Sequence, residues 1–277
     1  MRDRALVMAI INRTPDSFYD QGATFAPDAA LHAVRQAVAD GADIIDIGGV
    51  RAGPGIEVDA AEEVRRTVPF VELIREEFPD AVLSIDTWRA EVAERNLAAG
   101  ADIVNDTWAG AEPTILDAAA SAGAGYVCSH TGGAEPRTRP HRVTYDDVVA
   151  AVLDGTTRLA EEAVARGVPR AGILIDPTHD FGKNTWHGLE LVRRSSELVS
   201  SGWPVLMALS RKDFVGETLD LPPDDRLEGT LAATALAAAA GCAVFRTHDV
   251  IATRRVLDMT ASIMGDRPPS RPERGLV

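Results

Sequence analysis

Eight short, mostly apolar runs alternate along this chain with longer alanine-rich amphipathic stretches, and no other feature restricts the fold as tightly. The runs fall at residues 6–11, 43–47, 81–85, 102–104, 125–128, 172–175, 204–209 and 243–245. Helical patterns occupy 27–40, 60–77, 89–99, 114–122, 145–166, 189–200, 227–240 and 253–264. Gly41, Gly100, Gly123 and Gly167 stand just past four of these, where a helix stop calls for a residue tolerant of a left-handed backbone. Strands that are apolar on both faces and separated by helices belong to a parallel sheet covered on both sides. Eight strand–helix units in roughly 250 residues match an α/β (β/α)8 TIM barrel forming a single domain. An open doubly wound sheet is the runner-up. The barrel is predicted to occupy residues 1–264, with 265–277 as a polar, Pro- and Arg-rich tail.

Composition narrows the partners. At 45% hydrophobic residues the chain can bury a large core, and no run reaches transmembrane length. The apolar start leads straight into Asn12-Arg13-Thr14-Pro15-Asp16 without a small-residue cleavage site, so it reads as the first strand of a cytoplasmic protein. Cys128 and Cys242 are far apart and lack metal-binding spacing, which makes them reduced core thiols. A formal net charge of -14 without a basic stripe argues against nucleic acid and against an anionic membrane surface. An anionic small molecule would need cations gathered locally, and Lys183, Arg211 with Lys212, and Arg246 with His248 are the candidates.

The apolar runs end in polar residues. The sixth passes from Ile173-Leu174-Ile175 directly into Asp176-Pro177-Thr178-His179-Asp180-Phe181-Gly182-Lys183. A buried strand gains nothing from a carboxylate at its tip, since an unpaired buried charge is costly. The other ends read Asn12 to Asp20, Asp46-Ile47-Gly48-Gly49, Ser84-Ile85-Asp86-Thr87, Asn105-Asp106, Ser129-His130, Ser210-Arg211-Lys212 and Arg246-Thr247-His248-Asp249. Each has an ordinary alternative: Asp and Asn cap helices, glycines make turns, and a single His is usually just hydrogen-bonded. In a barrel, however, all eight ends meet at one mouth, where active sites lie. Carboxylates, amides and cations converging there could read a donor-rich heterocycle and hold a phosphate.

Taken in order, these motifs resemble those of dihydropteroate synthase, and the resemblance spans nearly the whole chain. It implies a (β/α)8 barrel that joins 4-aminobenzoate to the methylene carbon of a 7,8-dihydropterin diphosphate and releases pyrophosphate. Carried over by motif, Asp86, Asn105, Asp176 and Lys212 would hold the pterin ring, with Phe181 lining the pocket. Asn12 would ligate Mg²⁺, the implied cofactor, while Arg246 and His248 bind the diphosphate. Lys212, Arg246 and His248 would carry the catalysis, and Ser210, Arg211 and Pro54 would lie on the aminobenzoate side. The resemblance also implies a homodimer.

Three departures set this chain apart from the family pattern. Where the family usually continues Glu-Ser-Thr-Arg-Pro-Gly, this chain has Val50-Arg51-Ala52-Gly53-Pro54-Gly55, with Arg51 as the candidate replacement for the lost charge. The family's Gly-x-Gly has become Thr178-His179-Asp180, which is costly wherever the glycines had positive φ. Thr131 stands where a methionine usually packs on the pterin. Pterin and diphosphate determinants thus survive while the aminobenzoate side is rewritten. The pattern resembles the divergent second copy found in some genomes, a copy associated with little or no synthase activity. Alternatives are a pterin-binding protein without catalysis and a transferase using another acceptor, bound with help from His179 and Asp180. A corrinoid-type pterin methyltransferase is disfavoured by the diphosphate-suited Ser210-Arg211-Lys212 and Arg246-Thr247-His248 motifs.

Overall fold

In the computed structural model, which describes residues 4–14, 26–138 and 143–274, the eight runs form eight parallel strands. They are β1 (Leu6–Asn12), β2 (Ile44–Gly48), β3 (Val82–Asp86), β4 (Ile103–Asp106), β5 (Gly125–Ser129), β6 (Ile173–Asp176), β7 (Leu206–Met207) and β8 (Val244–Thr247). Their order is β6-β5-β4-β3-β2-β1-β8-β7. A single parallel bridge, Ile175 to Val205, brings β7 back to β6 and leaves a nearly closed TIM barrel. The stretch predicted at 204–209 is therefore mostly irregular, with only Leu206 and Met207 laddered.

Around the barrel run α1 (Pro27–Ala39), α2 (Ala60–Glu77), α3 (Ala90–Ala98), α4 (Ile115–Ala122), α5 (Val148–Ala165), α6 (Thr185–Arg193), α7 (Ser195–Val199), α8 (Asp213–Leu219), α9 (Leu227–Ala239) and α10 (Val250–Met264). The helix predicted at 189–200 is two helices. Asn184 starts the first four residues early by a capping box: its side chain accepts the His187 amide at 3.0 Å, and its own amide donates to His187 Nδ1 at 3.2 Å. Ser195 ends it, since its hydroxyl donates to the carbonyls of Leu191 and Val192 and so diverts them from the helix ladder. The short α8 was not expected from the pattern at all.

Period-2 alternation along the strands separates two cores. Outward residues such as Val7, Ile45, Leu83, Val104, Tyr126, Ile175, Met207 and Phe245 join the helices in the large outer core. Inward residues Met8, Ile44, Val127, Leu206, Ala208 and Val244 fill the barrel interior. Following the inward parity toward the strand ends reaches Asn12, Asp46, Asp86, Asn105, Asp176, Ser210, Arg246 and His248. The polar mouth is the same set of positions as the apolar interior, continued upward. Cys128 and Cys242 are buried and free, and among the described residues no helix is long and apolar enough to cross a membrane. The tail begins against α10, where Arg267 pairs with Asp258 at 2.8 Å. Of the segment from Asn12 to Asp20, residues 15–20 lie outside the described residues.

Candidate active site

A cavity of about 370 Å³ opens at the C-terminal ends of the strands. Asn12, Asp86, Asn105, Asp176, Phe181, Ser210, Lys212, Arg246 and His248 all line it, so nine of the predicted site residues are brought together. A larger hollow, about 1030 Å³, lies at the opposite end of the barrel among strand-start residues such as Leu6, Ile44 and Val82. It gathers none of these groups.

The floor is an ion cluster. Arg246 Nε donates to Asp46 Oδ2 at 2.6 Å and Arg246 Nη2 to Asp86 Oδ2 at 2.7 Å. Asp86 also accepts the Thr107 hydroxyl at 2.8 Å, and Asn105 Nδ2 lies 3.2 and 3.3 Å from the two Asp46 oxygens. Burial, with Asp46 close by, raises the Asp86 carboxyl to about 6 against the pull of Arg246. Asp176 is likewise pushed up to about 6 by burial, despite the Thr178 amide at 2.7 Å and the charges of Lys212, Lys183 and Arg246. Both carboxyls are thus poised between charged and neutral near neutrality, a condition typical of functional sites.

Lys212 Nζ donates to the His179 carbonyl at 3.1 Å and sits 4.6 Å from the centre of the Phe181 ring, which in turn meets Trp108 edge-on at 5.0 Å. Burial lowers its pKa while Asp180 and Asp176 raise it. His248 Nδ1 lies 2.9 Å from Ser210 Oγ, and burial beside Arg246 depresses the imidazole to about 3, so it is neutral at physiological pH. Lys183 reaches the cavity wall but is chiefly a staple: its Nζ donates to the carbonyls of His130 at 2.6 Å, Phe181 at 3.0 Å and Thr178 at 3.3 Å.

Several predicted positions lie off the cavity. Arg211 sits in the turn after β7 with a left-handed backbone, φ 55°; its guanidinium pairs with Asp249 and donates to the carbonyls of Pro223 and Asp224. Pro54 is exposed and not part of the wall. Thr131 is buried, its hydroxyl turned to the Ala134 carbonyl at 3.3 Å. His179 is fully buried against Phe214, with ring centroids 5.3 Å apart, and cannot meet an acceptor. Arg51 does line the cavity, together with Val50, Ala52 and Gly53.

Thr178 and Asp180 occupy the left-handed region, with φ of 55° and 69°. The glycine-requiring backbone is therefore kept although the glycines are gone. Such a conformation costs an L-residue about 1–2 kcal/mol. Local bonds offset it: Thr178 Oγ1 accepts the His130 amide at 3.1 Å and donates to the Asp176 carbonyl, while Asp180 Oδ2 accepts the Asp213 amide at 2.6 Å. Asp180, Asp213 and Glu217 bring three carboxylates to the cavity wall on this side. Arg137, 84 residues from Gly53, donates to the carbonyls of Gly53 and Ile56 and ties the loop after β5 to the loop after β2. Asp180 belongs to the strand-six motif, but Asp213, Glu217 and the Arg137 tie were not anticipated and arise from residues outside the strand-end motifs.

Comparison with known proteins agrees with this geometry. The family model for pterin binding enzymes matches residues 8–248. The chain is 63% identical to "Inactive dihydropteroate synthase 2" of Mycobacterium tuberculosis (strain H37Rv), over 99% of this chain and 88% of that one. It is 39% identical to the dihydropteroate synthase of Bacillus subtilis (strain 168), over 95% of this chain and 90% of the other. The Yersinia pestis dihydropteroate synthase, solved as a sulfonamide drug complex, superposes with a TM-score of 0.90 at 37% identity, covering 95% of each chain. Matches of this extent show that the chain belongs to the dihydropteroate synthase family of pterin-binding enzymes.

Proposed function

We propose that the cavity binds 6-hydroxymethyl-7,8-dihydropterin diphosphate and that the protein is a dihydropteroate synthase-like transferase of folate biosynthesis whose turnover with 4-aminobenzoate is slow. The carrying observation is convergence: Asn12, Asp86, Asn105, Asp176, Lys212, Arg246 and His248 line one cavity, while of the acceptor-side positions Ser210 lines it and Arg211 and Pro54 lie off it. Asp86 and Asp176 are suited to accept from the amino and imino groups of a pterin edge, with Asn105 donating or accepting beside them. Lys212 offers a cation to the ring's acceptor atoms, over the Phe181 ring. In the reaction the methylene carbon–oxygen bond to the diphosphate breaks, a carbon–nitrogen bond to the arylamine forms, and the amine loses a proton. Negative charge then gathers on the leaving pyrophosphate, where Arg246 as a cation and His248 as a neutral donor stabilise it.

A Mg²⁺ ion fits the Asn12 side of the cavity. Among the described residues no group of three His, Cys, Asp or Glu could cage a metal, but Mg²⁺ takes most of its ligands from phosphate and water when it accompanies a diphosphate. The Asn12 amide oxygen would hold it, and it would supply charge neutralisation at the phosphate oxygens.

The acceptor side argues for slow turnover. Asp213 is paired with Arg226 at 3.0 Å, so Asp180 and Glu217 are the like charges that an aminobenzoate carboxylate approaching this wall would meet, an arrangement that costs binding. That acidity also favours a second reading, a pterin-binding paralogue with a lost or exchanged acceptor, as does the name of the 63%-identical relative. The protein is further read as a cytoplasmic homodimer. Exposed Leu236 on α9, with Met259 and Ile263 on the adjoining α10, offers apolar surface for a second copy. Turnover of the pterin diphosphate with 4-aminobenzoate and Mg²⁺, beside an active synthase, tests the reading. The expected rate is at least about 100-fold lower, the scale that misplacement of a reactant produces; a comparable rate would contradict the acceptor-side argument.

A further inference from the structure

We propose that Asp46 is a positioning residue that anchors Arg246 as a part shared between the heterocycle and diphosphate subsites, so that filling one favours filling the other. This rests on the site reading above. Asp46 lies on the inner face of β2, is fully buried, and does not reach the cavity wall. It touches ligand-facing groups on two other strands: Arg246 of β8 at 2.6 Å and Asn105 of β4 at 3.2 and 3.3 Å.

The arrangement is unequal at its two ends. Arg246 reaches Asp46 through Nε, deep in the floor, and reaches Asp86 through Nη2, at the wall. A guanidinium carries five N–H donors in a fixed fork, so one bond can be exchanged while another holds. Asp86 is the carboxylate a donor-rich heterocycle would engage. When the ring donates to Asp86, it competes with Nη2, and that N–H becomes available to an anion alongside. The bond from Nε to Asp46 keeps the arginine in place during the exchange. Charge runs the same way. Two carboxylates and one guanidinium leave the floor with a net negative charge, which repels a diphosphate until ring donors cover Asp86. Lacking Asp46, Asp86 alone would claim the fork in a two-bond pairing, and the coupling would be lost.

The test is equilibrium titration of pyrophosphate with Mg²⁺, with and without saturating 6-hydroxymethylpterin, on the full chain and two variants. Natural protein should bind pyrophosphate about 5- to 10-fold tighter when the pterin is present, within the usual range of coupling between sites. Asp46→Asn, which preserves shape and one acceptor, should bind each ligand yet reduce that gain below about twofold. A purely structural role would weaken both ligands and leave the ratio intact. Asp86→Asn should bind pyrophosphate tightly without pterin and gain little from it, an arm that decides the matter even if Asp46→Asn does not fold. A ratio near one in natural protein, or an unchanged ratio in Asp46→Asn, overturns the coupling alone. Failure of both ligands to bind natural protein overturns the site reading with it.

Discussion

At the end of β6, Asp176 accepts the Thr178 amide at 2.7 Å and is lifted by burial to about 6. A pterin edge that donates to it requires the charged form. Because the carboxyl is protonated as pH falls through about 6, pterin affinity should decline below that pH and level off above it. Asp176→Asn should weaken pterin binding by about 10- to 100-fold, on the order of 1–3 kcal/mol for a charged hydrogen bond, with circular dichroism unchanged. Calorimetric titration across pH 5–8 checks both, and undiminished binding by the variant would remove Asp176 from the site. Strand parity explains which residues were legible. Arg246 keeps the inward parity of Val244, whereas Arg211 lies in the left-handed turn after β7, φ 55°, and pairs with Asp249. Parity sends Asp106 outward, where the Tyr126 hydroxyl and the amides of Trp108 and Gly110 enclose it, and leaves Asn105 facing in. Parity counted from the apolar part of the run would have made that distinction. Asp46 was visible as part of a motif, but its bonds to Arg246 and Asn105 join residues 200 and 59 positions apart, which no local pattern encodes.

At the scale of elements, the strands were readable because both faces are buried, and most helices because an apolar stripe faces the barrel. What was missed depends on single hydrogen bonds. Asn184 starts α6 through a box closed by a histidine rather than the usual Glu or Gln, and α8 depends on distant partners. Arg226 braces its start by donating to the Arg211 carbonyl and to Asp213, both at 3.0 Å. The loop after β2 and the turn after β6 carry the departures read from the sequence, and they can be reversed together. Restoring Glu-Ser-Thr-Arg at residues 50–53 with Gly at Thr178 and Asp180 removes two strained backbones and moves one cavity carboxylate from position 180 to position 50. That chain should turn over 4-aminobenzoate at least about tenfold faster than the natural one, equivalent to about 1.4 kcal/mol of barrier. An unchanged rate in the product assay would place the defect elsewhere.

Across the whole molecule, buried histidines set the response to acid. His179 is fully buried, with only the Gly188 backbone near its ring nitrogens, and burial depresses it to about 3. Below about pH 6.5 the unfolded chain takes up a proton that the folded chain refuses until about pH 3, so stability falls as pH drops through that window. Asp86 and Asp176, raised to about 6, act oppositely, since acid relieves their burial. A direct comparison isolates the histidine. His179→Leu should lose about 2 kcal/mol less stability than natural protein between pH 7 and pH 5, by urea unfolding at each pH. Equal losses would mean that His179 is hydrated in the fold. The barrel as a whole gathers carboxylates, amides and cations at one mouth, with Asp180, Asp213 and Glu217 along one wall. The measurement to make first is calorimetric titration of the chain with 6-hydroxymethyl-7,8-dihydropterin diphosphate and Mg²⁺. Saturable binding, one site per chain and weakened about 10- to 100-fold in Asp176→Asn, is the predicted result; no binding at millimolar ligand would contradict the account at its base.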